Sequence, residues 1–196
     1  HKSGQPDALQ YSPVFNGLSA WQLYYGEGYT NAWALPQNEW VHLKLEMAGT
    51  QARVFVGEGQ SPALVINDLK RGRSKGGLGL KVTGPIGLAY FSDFKYRVDD
   101  GLEFKPSAKA ETPFGTITEW ELSQSFAYNL VDTKSYPPQD LLAKVAWQSV
   151  TGEPSGIVNV ARYAKKGPAV PGIVLARTRI HAQEERSMEL EFGYSD

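Results

Sequence analysis

An all-β fold is what this sequence predicts, on three observations. Apolar and polar residues alternate in several short runs, with the period of a half-buried strand. Gly and Pro, 32 of 196 residues, fall as punctuation between those runs. Only residues 139–144 carry a helix-like pattern, and that stretch is short.

The clearest strand is Trp40-Val41-His42-Leu43-Lys44-Leu45-Glu46-Met47. Val41, Leu43, Leu45 and Met47 share the face expected to be buried, with Leu45 in the core; Trp40, His42, Lys44 and Glu46 share the other. Ala48-Gly49-Thr50-Gln51 makes the turn, Ala52–Val56 returns, and Leu64–Ile66 is a third run. Residues 78–82, 86–91 and 94–98 read as further strands. Upstream, Trp21–Tyr25 and Tyr29–Leu35 read as a hairpin closed by Gly26-Glu27-Gly28. Residues 101–113, polar and with two prolines, read as a linker between a domain over 1–100 and a second β-rich module over 114–196. Strands are expected there at 117–122, 145–150, 157–163, 173–180 and 188–194. The alternating run 187–194 stops at the end of the chain, which reads as a fragment of a longer protein.

Composition excludes several function classes. Twenty Lys+Arg balance 21 Asp+Glu, spread evenly over both halves, so nucleic acid is not an expected partner. The chain has no cysteine, which removes a disulfide scaffold, a thiolate metal site and a Cys nucleophile. No apolar run approaches the roughly 18 residues of a membrane helix, so no membrane insertion is expected.

Several segments together resemble a known family. They are Glu39–Glu46, Ala52–Val56, Pro62–Val65, Gly76-Gly77-Leu78-Gly79-Leu80 and Ala89–Tyr96. Over residues 14–98 the chain resembles a concanavalin A-like lectin/glucanase domain of the laminin-G type. Residues 114–196 resemble, more weakly, a galactose-binding-like sandwich. The resemblance implies a concanavalin A-like jelly-roll sandwich followed by a second, truncated β-sandwich module. It implies a non-catalytic carbohydrate-binding or adhesion module of a larger bacterial protein, periplasmic, cell-surface or secreted. Its partner would be a polysaccharide or other glycan. Two alternatives stay open: a glycoside hydrolase-like enzyme on the same fold, and a structural protein–protein interaction module.

Signals for catalysis are sparse. Glycosidases of the resembled fold carry carboxylates at alternate strand positions. The nearest patterns here are Glu119-Trp120-Glu121 and Glu189-Leu190-Glu191, and the second reads as a solvated face. His1, His42 and His181 are too scattered for a metal centre. There is no Gly-x-Ser-x-Gly elbow and no phosphate loop. Calcium is the one cofactor the resemblance brings in. Asp93, Asp99 and Asp100 are its weak candidates, with Asp68 in a further turn; turn-forming Asp accounts for them as well. Lys70-Arg71-Gly72-Arg73-Ser74-Lys75 carries four cations in six residues and reads as a hydrated loop tip.

The strongest functional signal is aromatic. Residues 21–40 hold Trp21, Tyr24, Tyr25, Tyr29, Trp33 and Trp40, six of the chain's 23 aromatics. Sugar rings present C–H faces that pack on flat aromatic rings, and hydroxyl, indole and amide groups meet their polar edges. Trp21, Tyr25, Tyr29, Asn31 and Trp33 are therefore the candidate ligand-binding residues. Core packing and cross-strand pairing would use the same rings.

Overall fold

The computed structural model describes residues 8–36, 38–72, 75–82, 88–131, 135–164 and 172–194. These form short strands with one α-helical turn and two 3-10 turns. In chain order the strands are β1 (Ala8–Gln10), β2 (Val14–Phe15), β3 (Leu18–Ser19), β4 (Thr30–Ala32), β5 (Leu43–Ala48), β6 (Gln51–Val56) and β7 (Leu64–Ile66). Then come β8 (Glu119–Leu122), β9 (Phe126–Ala127), α1 (Gln139–Leu142), β10 (Gln148–Thr151), β11 (Gly172–Ile173) and β12 (Ala176–Arg177). The all-β class expected from the alternation is present, as small antiparallel sheets.

The chain divides into two compact units. One holds residues 1–9 and 31–107; the other holds 10–30 and 108–196. The later boundary falls inside the linker read from the sequence. Residues 10–30, read there as part of the N-terminal half, group with the C-terminal unit.

In the first unit, β5, β6 and β7 form a sheet in that order. Gly49-Thr50 joins β5 to β6 as a two-residue loop, with Ala48 opposite Gln51. Gly49 has φ +60, the positive value that the first central residue of such a hairpin takes without a Cβ penalty. The register puts Leu43 opposite Val56, Leu45 opposite Val54 and Met47 opposite Ala52. Leu64 and Ile66 extend that apolar face onto β7. Ala52, Val56, Leu64 and Ile66 are buried, and the core of this unit sits there. On the opposite face the Lys44 ammonium lies 4.0 Å from the Phe55 ring centre, and the Arg53 guanidinium 4.1 Å from that of Phe104. Asn31 Nδ2 donates to the Ala63 carbonyl at 2.5 Å.

The strand expected at 40–47 is there, but its inward face is not covered. Leu43, Leu45 and Met47 remain 58%, 56% and 54% exposed. Edge position alone is not the reason, since β7 is the sheet's other edge and its Leu64 and Ile66 are buried; the cover on this face reaches Ala52, Val56, Leu64 and Ile66 and does not extend over β5. The runs expected at 78–82 and 94–98 form no ladder, nor do residues 88–91; Ile86 and Gly87 lie outside the described residues. Their apolar members, among them Leu80, Tyr90, Phe94 and Tyr96, stay exposed.

In the second unit, β8 is flanked by β10 and β12. Pairing places Val150 opposite Trp120 and both Gln148 and Ala176 opposite Leu122. Leu122 and Val150 are buried on that face. Glu119, Glu121, Ser149, Thr151 and Arg177 share the other. The Ser123 N–H donates to the Leu175 carbonyl at 2.9 Å, and the Leu175 N–H donates to Ser123 Oγ at 2.8 Å, which extends the β8–β12 connection. The helical stretch expected near 139–144 is α1. Residues 157–163, expected as a strand, instead contain a 3-10 turn at Val160–Arg162, and 188–194 form no ladder.

The hairpin expected over 21–35 does not form. Residues 21–24 are turn, and only Thr30–Ala32 is strand, paired with β1. Segment 26–30 closes on itself instead. The Tyr29 and Thr30 amides both donate to the Gly26 carbonyl, and the Gly26 N–H donates to Thr30 Oγ1 at 2.8 Å. The tight hairpin actually present lies earlier, where Asn16-Gly17 joins β2 to β3 with both residues at positive φ.

Candidate functional site

The turn at residues 21–25 is anchored from below by Tyr24, whose side chain is fully buried. Its hydroxyl donates to Glu153 Oε1 at 2.5 Å and accepts from Asn159 Nδ2 at 3.3 Å. Glu153 follows β10, and its N–H donates to the Ile157 carbonyl at 2.8 Å. Asn159 precedes the 3-10 turn that carries Arg162. Arg162 Nη2 stands 4.0 Å from Glu153 Oε1, and its guanidinium lies 4.7 Å from the centre of the Phe15 ring. The β2–β3 hairpin is tied to the same turn, because Asn16 Nδ2 donates to the Ala161 carbonyl at 2.8 Å.

A buried hydroxyl beside a carboxylate resists ionisation. Burial first, and donation to Glu153 second, push the Tyr24 hydroxyl up to about 12. It therefore remains a neutral donor throughout the neutral range, and its role is to hold the turn.

Around this anchor the aromatic residues separate into two sets. Tyr29 packs against Tyr24 with ring centres 5.4 Å apart, and Tyr11 stacks on Tyr29 at 6.4 Å. Trp21 and Tyr25, on either side of the anchor in sequence, leave their side chains 51% and 54% exposed. The Trp21 carbonyl is pinned by Gln10 Nε2 at 2.7 Å. The outcome is a fixed turn that offers two rings to solvent.

Of the five candidate binding residues, Trp21, Tyr25 and Tyr29 belong to the C-terminal unit. Asn31 and Trp33 belong to the N-terminal one, where Asn31 is used by its bond to Ala63. Tyr24, Glu153, Asn159 and Arg162 were not legible as a cluster. Tyr24 and Glu153 are 129 residues apart, and neither alternation nor spacing links them.

Other sequence candidates have ordinary structural partners. Asp99 Oδ1 accepts the Gly101 N–H at 3.2 Å, and Asp99 lies 3.6 Å from Arg97. Asp93 lies outside any strand or assigned turn, with φ +54. No group of three or more His, Asp or Glu able to hold a metal ion occurs among the described residues. Lys70 donates to Asp68 at 2.6 Å, while Arg73 and Ser74 lie outside the described residues. His42 Nδ1 is 3.9 Å from Glu58, and His181 lines an open polar hollow with Gln183, Glu184 and Arg186.

The carboxylates of β8 are engaged as well. Glu119 accepts from Thr151 Oγ1 at 3.3 Å. Glu121 accepts from Arg177 Nε at 2.8 Å, and Arg177 lies 4.0 Å from the Trp147 ring. That hydrogen bond holds the Glu121 carboxyl below its usual value. A general acid for glycoside cleavage needs the opposite shift. No helix among the described residues is long and apolar enough to cross a membrane. No protein family, curated protein or solved structure matches this chain.

Proposed function

We propose that this chain is a non-catalytic carbohydrate-binding or adhesion module of a larger extracytoplasmic protein. On this reading its N-terminal half is built on a concanavalin A-like sandwich. The observation that carries the function is the anchored turn, which keeps Trp21 and Tyr25 exposed while Tyr24 fixes the backbone between them. Exposed rings on a pre-ordered turn lose little side-chain freedom when a sugar face packs on them. The Tyr11–Tyr29 stack supports the turn.

A glycan array, followed by titration of the best polysaccharide, tests the reading. Trp21→Ala is expected to weaken binding at least tenfold with the melting temperature nearly unchanged, because Trp21 is half exposed. Binding is expected to survive a calcium chelator, since the described acidic residues do not converge. Loss of binding in chelator would move the site to Asp93, Asp99 and Asp100. A folded chain that binds no glycan, or a Trp21→Ala chain that binds as well as the parent, ends the proposal.

A further inference from the structure

The free edge of β5 is complementary to itself. The Gly57 N–H donates to the His42 carbonyl, so the even-numbered residues of this strand direct their backbone groups at β6. The odd-numbered residues Leu43, Leu45 and Met47 direct theirs away from it, toward an edge with no strand against it among the described residues. The same three residues carry the uncovered apolar row. Exposed edges are usually blunted by charge, Lys above all. Here the charges are placed symmetrically, with Lys44 and Glu46 one residue either side of Leu45.

We propose that two copies of this chain pair antiparallel through β5, with Leu45 on the two-fold axis, joining two three-stranded sheets into one of six strands. In that register Leu45 faces the partner's Leu45, and Leu43 faces the partner's Met47. All three odd-numbered residues then occupy hydrogen-bonded positions, which satisfies their outward N–H and C=O groups. On the opposite face Lys44 stands across from the partner's Glu46, and Glu46 from the partner's Lys44. Opposite charges directly across two strands stabilise the pair and like charges oppose it. Within one chain Lys44 Nζ already lies 3.1 Å from Glu46, so pairing would form a cluster of four charges of alternating sign. A two-fold contact needs a patch that meets itself in this way. A register shifted by two residues loses either the charge match or the apolar overlap. This surface lies outside the turn proposed for sugar.

Sedimentation of the chain across micromolar to hundred-micromolar concentrations tests the pairing. The parent is expected to approach twice its 21.6 kDa mass as concentration rises. Lys44→Glu places glutamates opposite glutamates, and Glu46→Lys places lysines opposite lysines. Each is expected to weaken self-association at least tenfold while circular dichroism stays that of the parent. Mixing the two single variants sets a strand with two acidic side chains against a strand with two basic ones, and is expected to restore the dimer mass. The double variant K44E/E46K, which exchanges the charges, is expected to dimerise by itself. A parent that stays monomeric throughout overturns the proposal. So does a dimer that ignores both single variants, or variants that stay monomeric when mixed.

Discussion

Replacing Tyr24 by Phe keeps the buried ring and deletes one oxygen. That oxygen donates to the Glu153 carboxylate at 2.5 Å and accepts from Asn159 at 3.3 Å. A hydrogen bond to a charged group contributes about 1.5–3 kcal/mol, and the longer contact adds little. Asn159 is 3% exposed, and its Oδ1 has no hydrogen-bond partner among the described residues. Losing the Tyr24 oxygen also leaves its Nδ2 short of an acceptor. A loss of about 2–3 kcal/mol follows, read as a lower denaturant midpoint in unfolding followed by tryptophan fluorescence. The pH dependence is a second readout. The Tyr24 hydroxyl rises from 10.0 to about 12 in the folded chain, so folding favours its neutral form. Its contribution is complete below pH 10 and disappears as pH climbs to about 12. The gap in stability between the parent and Tyr24→Phe should therefore narrow over that window, which separates it from the titration of lysines common to both. A gap below about 0.5 kcal/mol at neutral pH, unchanged to pH 12, would refute the buried cluster.

Two further expectations concern the sheets. Leu45→Ala, measured at a concentration where the chain is monomeric, should cost less than about 1 kcal/mol, against the roughly 2–5 kcal/mol of a buried leucine. A larger loss in thermal unfolding would show that something covers β5 within one chain. Arg177→Ala should return the Glu121 carboxyl toward its ordinary value, as followed by carboxyl NMR during acid titration. The parent's low value means that this pair contributes above pH 4.5 and is lost as pH falls through the depressed value. Identical titration curves in parent and variant would remove Arg177 as the cause.

Local pattern was enough for the β5–β6–β7 sheet. The alternation of 40–47, the two-residue Gly49-Thr50 loop and the returning run 52–56 are neighbours in the chain, and each dictates the next. The short helix near 139 was legible for the same reason. The region 21–35 was not, because its aromatic alternation fits a hairpin equally well. What decided it was closure of 26–30 through the Gly26 carbonyl and burial of Tyr24 against Glu153 and Asn159. The Asn16-Gly17 turn carried a readable signal, since that pair favours positive φ at both positions.

The all-β class, the near-neutral charge and the absence of thiols were determined by the sequence alone, since each depends only on residue identity and short-range period. Which apolar faces are covered was decided by the tertiary structure. Leu45 and Leu64 lie on the two edge strands of one sheet and on the same apolar face, yet Leu45 stays exposed and Leu64 is buried. Alternation says that a strand has two faces; only the neighbours that arrive from distant parts of the chain decide which face loses its water.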